Sequence, residues 1–271
     1  MRVEVEHEAP GTGGQAGSPP FRGVGAALVT LFDDDGELDA KATGALAVEL
    51  AGRGVAGVLV AGTTGEAGTL DAAERVALIR AVRAALPAGV ALLAGTGAPS
   101  ARQARRFTAD AAAEGVDGLV ALSPPGTDDP RAYYDELARV AEGVPLLAYH
   151  YPRASAPGFP SSLLGALAVS GCKDSSGDPA RLAATLASFD GWLYVGAAPL
   201  ALTAGALGAT GVILALANAE PERCVAAFAG DARAQLQLAD AQATSEVGFP
   251  SGIKSLVAQR FGCSASARLH G

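Results

Sequence analysis

Val55-Ala56-Gly57-Val58-Leu59-Val60-Ala61 runs directly into Gly62-Thr63-Thr64-Gly65-Glu66, and a few residues later comes Asp71-x-x-Glu74. The apolar run shows no polar alternation, so as a strand it must be covered on both faces. That is the pattern of a parallel sheet flanked by helices. Asp71 and Glu74 have the spacing of a capping box, and Val76, Ile79, Val82 and Leu86 follow at helical intervals until Pro87 stops the helix. The stretch therefore predicts one strand, one turn and one helix.

The unit recurs along the chain. Apolar runs of strand type fall at 24–31, 55–61, 90–94, 118–122, 144–149, 168–173, 192–195 and 212–216. Gly54-Val-Ala-Gly-Val58 and Gly115-Val-Asp-Gly-Leu119 open two of them alike. Ser100-x-x-Gln103 starts a further helix, and Asp178-Pro179 supplies an N-cap with proline at the first helical position. Eight such units predict an α/β fold, a (β/α)8 TIM barrel over residues 21–230, rather than an open doubly wound sheet. Residues 231–271 predict two more helices as a short C-terminal helical extension. Residues 1–20, polar and rich in Gly and Pro without an apolar core, predict a disordered extension rather than a secretory signal.

Composition narrows the class. Of 271 residues 49% are hydrophobic but only 5% aromatic, which implies a core packed by Ala, Val and Leu. A net charge of −8 without a basic run speaks against a nucleic-acid partner. The charge-free stretch 191–219 is long enough for a membrane span, but its five glycines and Pro199 divide it into strand, helix, turn and strand. No membrane partner is expected. Cys172, Cys224 and Cys263 are odd in number and widely spaced, which favours a reducing, cytoplasmic compartment over a disulfide framework or a zinc site.

In such a barrel the chemistry lies in the loops at the C-terminal ends of the strands. Lys173 ends the run Leu167-Ala-Val-Ser-Gly-Cys-Lys173 and is one of three lysines in a chain with seventeen arginines. Arginine stays charged, whereas a desolvated lysine can lose its proton and become a nucleophile. Read alone, it could also be a strand-end side chain snorkelling to water. The turn Gly62-Thr63-Thr64-Gly65-Glu66 can present backbone N–H groups and two hydroxyls to a small carboxylate, or merely cap the next helix. After the fifth run comes Tyr149-His150-Tyr151-Pro152-Arg153. Tyr149 is a candidate proton carrier or an aromatic plug, and at least one of His150 and Tyr151 must face away from the barrel axis. Asp174, beside a helix start, is a candidate acid whose simpler role is a solvated or capping carboxylate.

These three motifs, in this order on eight βα units, resemble the dihydrodipicolinate synthase / N-acetylneuraminate lyase family of Schiff-base-forming class I aldolases. The likeness runs from about Phe21 to Phe261 and rests on the Gly62–Glu66 loop, on Tyr149 in Y-x-x-P, and on Gly171-x-Lys173-Asp174-x-Ser176-Gly177. The resemblance implies an imine between Lys173 and pyruvate, with Thr63 and Thr64 holding the substrate carboxylate and Tyr149 assisting proton transfer. It further implies that Gly196 lies near the bound substrate and that Ile213 packs against the site. No metal or organic cofactor is implied. The expected partners are a small-molecule 2-oxo acid and an aldehyde, and the expected assembly is a homo-oligomer, dimer or tetramer.

Departures from the family pattern bear on the second substrate. Synthases of this family carry a tyrosine after strand four that joins a neighbouring subunit's proton relay, where this chain has Ser123-Pro124-Pro125-Gly126-Thr127. Tyr133 and Tyr134 belong to the following helix. The arginine that binds the aldehyde's carboxylate in those synthases corresponds to Ala154, and the adjacent Arg153 is expected to point elsewhere. These changes leave imine chemistry intact and weigh against a lysine-pathway synthase condensing pyruvate with aspartate semialdehyde. A sugar-derived 2-keto-3-deoxy acid is the favoured long substrate. A non-catalytic barrel binding a small acid is the reading from another class.

Overall fold

The structure, a computed structural model, describes residues 17–269. The expected N-terminal extension therefore lies outside the described residues, apart from its last four positions. Eight parallel strands close into one barrel in sequence order: β1 Gly23–Ala27, β2 Gly57–Val60, β3 Ala91–Gly95, β4 Gly118–Leu122, β5 Leu146–His150, β6 Gly171–Asp174, β7 Trp192–Val195 and β8 Gly211–Leu214. β8 pairs back onto β1, with Val24 opposite Val212, so no strand edge is left open. This is the (β/α)8 TIM barrel that the apolar runs predict.

Helices α1 Ala40–Ala51, α2 Ala72–Ala85, α3 Ala101–Ala113, α4 Arg131–Ala138, α5 Pro179–Ser188, α6 Ala201–Ala206 and α7 Pro221–Phe228 wrap the outside. The capping signals act as read. Asp71 accepts from the Glu74 N–H while Glu74 accepts from the Asp71 N–H, Ser100 caps α3, and Asp178 caps α5 ahead of Pro179. Strand residues of alternate parity serve two layers. Leu92, Leu119, Ala148 and Cys172 meet the helices, with Leu78 and Val82 of α2 among their partners in the buried cluster. Leu59, Leu93, Val120, Leu147 and Ile213 fill the barrel interior. Each buried Leu or Val adds about 1.5–3 kcal/mol relative to exposure, which makes the two-sided apolar runs the main driving force.

Three segments depart from the sequence reading. The first run leaves the sheet at Ala27, because beyond it the peptide groups find side-chain partners: Val29 N–H donates to Asn218 Oδ1 at 3.1 Å and Leu31 N–H to Thr43 Oγ1 at 3.0 Å. Between β5 and β6 the crossover is a six-residue 3₁₀ turn, Ser161–Ala166, and not an α-helix. Pro152, Pro157 and Pro160 remove the N–H donors an α-helix would need in the approach to it. The C-terminal segment folds into three helices rather than two, α8 Ala232–Gln237, α9 Ala239–Glu246 and α10 Ser251–Phe261, separated by Leu238 and by Val247-Gly248-Phe249-Pro250. Among the described residues no helix is long and apolar enough to cross a membrane.

Candidate active site

The strand period of two decides what faces the barrel mouth. Along β5 and its exit, Leu147, Tyr149 and Tyr151 point inward or to the mouth, while Ala148 and His150 turn to the helices. Along β6, Lys173 and Ser175 share the inward parity, and Cys172 and Asp174 turn outward. Tyr149 and Lys173 are register partners in the β5–β6 ladder, so their side chains emerge side by side. The Lys173 Nζ lies 4.2 Å from the centroid of the Tyr149 ring.

Lys173 is 3% exposed, and burial lowers its pKa from 10.5 to about 7. About half of the amine is then neutral at pH 7, against a fraction on the order of one in a thousand for a free lysine. Burial raises the Tyr149 pKa, and hydrogen bonding to the side chains of Ser175 and Thr63 pulls it part of the way back. The phenol is thus a neutral donor flanked by two hydroxyls. Tyr151 stacks on it, ring centroids 6.0 Å apart and planes 12° from parallel.

These groups line a cavity of about 240 Å³ at the C-terminal mouth. The six residues given a site role by the resemblance all open into it: Lys173, Tyr149, Thr63, Thr64, Gly196 and Ile213. Gly196 is there because nothing larger fits. A Cβ on it would sit 1.9 Å from Ser175 Oγ and 3.3 Å from Lys173 Cε. Thr63 and Thr64 ride on a turn tied to the segment after β1 by Thr30 Oγ1, which donates to the Gly65 carbonyl at 2.7 Å.

Some neighbours behave differently from their sequence reading. Asp174 is neither solvated nor a cap. It is buried, pairs with Arg181, and accepts from the Ser176 N–H at 2.8 Å and the Ser176 hydroxyl at 2.6 Å. Its outward parity sends it into the helix layer, away from Lys173. His150 also faces that layer: Nδ1 accepts from the Phe159 N–H at 3.2 Å, and burial, with Arg181 adding to it, lowers its pKa to about 4. Arg153 does reach the site, lining the mouth beside Tyr151 where the sequence reading had it point elsewhere. Tyr133 and Tyr134 are in α4, where their hydroxyls donate to the carbonyls of Ala98 and Ala121.

Sequence reasoning missed Ser175 and the wall that α9 contributes, Gln242, Ser245 and Glu246. Ser175 carried a signal, its place two residues after Lys173, which gives it the same inward parity just past the end of β6. The α9 wall carried none, because only tertiary packing brings residues some 70 positions downstream over the mouth. Among the described residues, no group of three or more His, Cys, Asp or Glu side chains is arranged to hold a metal ion.

A closed parallel barrel with a buried lysine at its mouth fits the class I aldolases, which are carbon–carbon lyases. The chain belongs to the dihydrodipicolinate synthetase family, whose family model matches residues 20–251. It is similar to the 4-hydroxy-tetrahydrodipicolinate synthase of Synechococcus sp. (strain CC9605), 34% identical over 236 residues that cover 82% of this chain and 78% of that protein. It is 36% identical over 166 residues to the protein of the same name from Synechococcus sp. (strain CC9311), where the match spans 58% of this chain and 55% of the relative. Among solved structures it resembles YagE, a prophage protein belonging to the dihydrodipicolinic acid synthase family from E. coli K12, in complex with pyruvate. The TM-score is 0.83 at 25% identity, covering 93% of this chain and 92% of that one.

Proposed function

We propose that this chain forms an imine between Lys173 and pyruvate, or a pyruvate-derived 2-oxo acid, and makes or breaks a carbon–carbon bond through the derived enamine. The observation that carries the reading is the Lys173 amine, buried beneath Tyr149 with its pKa lowered to about 7 inside a cavity of about 240 Å³. The neutral amine attacks the keto carbon, and proton transfers expel the carbonyl oxygen as water. Loss of a C3 proton from the protonated imine gives the enamine, which adds to an aldehyde carbon; cleavage runs the same steps backwards. Tyr149 carries the protons, with Thr63 and Ser175 as its hydroxyl neighbours. Thr63 and Thr64 hold the substrate carboxylate, and Gly196 and Ile213 shape the floor. The related structure that contains pyruvate supports this choice of first substrate.

For the long substrate the reading is a sugar-derived 2-keto-3-deoxy acid. Tyr151, Arg153, Gln242, Ser245 and Glu246 line the cavity beyond Lys173 and supply donors and acceptors for a chain of hydroxyls. The second reading, condensation with aspartate semialdehyde, draws on the relatives' names and on Arg153 at the mouth. Against it stands Gly126, at φ 81° with no aromatic side chain where the relay tyrosine would be. A cytoplasmic homo-oligomer, with the barrel over residues 21–230 and the helical segment over 231–271, completes the proposal.

The test is borohydride trapping with pyruvate, followed by peptide mapping and turnover on both aldehyde classes. Labelling should fall on Lys173; labelling elsewhere, or none, sinks the mechanism. The trapping rate should rise about tenfold per pH unit below pH 7 and level off above it, because the reactive free base accumulates as pH climbs through a pKa of about 7. A rate still climbing steeply to pH 10 would show an ordinary exposed lysine.

Gly196→Ala should push the Ser175 hydroxyl away from Tyr149, since the new methyl would lie 1.9 Å from Ser175 Oγ. Misplacement on this scale costs up to about 10²-fold in turnover, while Lys173 remains trappable. Intact-mass analysis beside steady-state rates checks both.

A further inference from the structure

Lys173 is not the only lysine withdrawn from water. Lys254 of α10 is fully buried and pairs with Glu66, whose side chain is also fully buried. Glu66 closes the turn that carries Thr63 and Thr64. The mechanism does not use this pair, and a buried ion pair is a poor way to gain stability, because desolvating both charges offsets most of their attraction. Its geometry indicates another use.

The turn is bracketed by two non-glycine residues in the left-handed region, Ala61 at φ 50° and Glu66 at φ 55°. Such residues persist only where their surroundings over-determine them. Between them, Gly65 is pressed so closely on the segment after β1 that a Cβ would meet the Leu28 carbonyl oxygen at 2.8 Å. The Glu66 carboxylate is held on every side. Lys254 binds Oε1, and the Arg268 and Leu269 N–H groups donate to Oε2 at 2.7 and 2.8 Å.

The same segment is tied down further. Lys254 Nζ donates to the Ser266 carbonyl at 2.6 Å. The Arg268 guanidinium donates to the carbonyls of Gly36 at 2.6 Å and Thr69 at 3.2 Å and to Glu74 Oε1 at 2.7 Å, and it lies 4.3 Å from the Phe32 ring centroid. Residues 264–269 thus form a strap against the segment after β1, at Phe32 and Gly36, and the turn after β2, at Glu66 and Thr69, and its backbone meets one carboxylate of the threonine turn.

We propose that Glu66 is the positioning residue of the Thr63–Thr64 carboxylate cradle, and that the C-terminal strap, acting through Lys254 and the backbone of Arg268 and Leu269, holds it in place. The 2-oxo acid's carboxylate then binds a cradle whose shape is set some 200 residues away in the chain. The inference rests on the reading that Thr63 and Thr64 receive that carboxylate. A device of this kind couples both ways: loosening the strap weakens the 2-oxo acid, and the bound 2-oxo acid tightens the strap.

The experiment uses the full chain, Glu66→Gln and, because that variant could fail to fold, Arg268→Gln. Pyruvate is the probe. Glu66→Gln keeps the shape but removes the charge that Lys254 and the two amides hold. The pyruvate concentration for half-maximal trapping of Lys173 should rise about tenfold in Glu66→Gln and by a smaller factor in Arg268→Gln, with less loss in the saturated rate. In the parent chain, pyruvate should slow hydrogen exchange at the Arg268 and Leu269 amides, and this slowing should vanish in the variants. A fold used only for stability would lower Tm without moving half-saturation or the ligand-dependent exchange. Half-saturation within about twofold of the parent in each folded variant, with exchange at 268 and 269 blind to pyruvate, overturns the proposal. If the parent chain itself is not labelled on Lys173, the imine reading is what has failed.

Discussion

Lys173→Met is expected to lose pyruvate-dependent borohydride labelling entirely and to lower turnover by at least about 10⁴-fold, the scale on which covalent enzymes respond to loss of their nucleophile. Methionine fills nearly the same volume and is at home against an aromatic face, so the barrel should close around it. The variant should also be more stable than the parent. Between its folded pKa of about 7 and its unfolded value of 10.5, Lys173 binds fewer protons folded than unfolded. Its contribution to stability therefore improves as pH rises through that window, and it is most unfavourable below pH 7. The penalty there is on the order of 5 kcal/mol. Removing the amine should raise Tm by several degrees at pH 7 and by much less at pH 10, which thermal melts across pH would record. A variant that lost both activity and stability would mean that the amine is a structural partner rather than a nucleophile kept at a cost to the fold.

The second large effect belongs to Tyr149→Phe. The ring over Lys173 and the stack on Tyr151 survive this change, and only the hydroxyl shared with Ser175 and Thr63 is deleted. Proton transfer by a positioned group is worth about 10²–10⁴-fold, so turnover should fall by that factor. The Lys173 amine should keep its lowered pKa, because burial alone produces it. Trapping with pyruvate should then be slow but go to completion, and its pH midpoint should stay near 7. Single-turnover trapping compared with steady-state rates separates these results. Turnover within a few-fold of the parent would leave Tyr149 as a packing residue and move proton transfer to another group.

Much of this site was legible because its parts sit at the ends of strands. An apolar run with a lysine at its last position, followed by Asp174-Ser175-Ser176-Gly177, can only put that lysine at the barrel mouth once the run is a strand. The scarcity of lysine was the most useful signal, and it pointed to two residues rather than one: Lys254 is the other fully withdrawn lysine. No strand end or motif marks it, and a buried lysine in a helix looks like any exposed one until its partner is known. Asp174 was misread for a related reason. Its neighbours in sequence suggest a cap, but its strand parity delivers it to Arg181.

The fold class, the order of the eight strands and the inward or outward parity of the residues at the mouth follow from local pattern, because strand and helix periods and capping spacings act over a few residues. What covers the mouth does not. Gln242, Ser245 and Glu246 of α9 reach the mouth from far along the chain, and the strap reaches Glu66, behind the threonine turn, through two backbone amides and one buried ion pair. Such contacts depend on where whole helices settle, which no short-range spacing encodes. The sequence by itself therefore determined the barrel and the residues proposed for imine chemistry, and only the tertiary structure decided what surrounds the second substrate and what holds the threonine turn in shape.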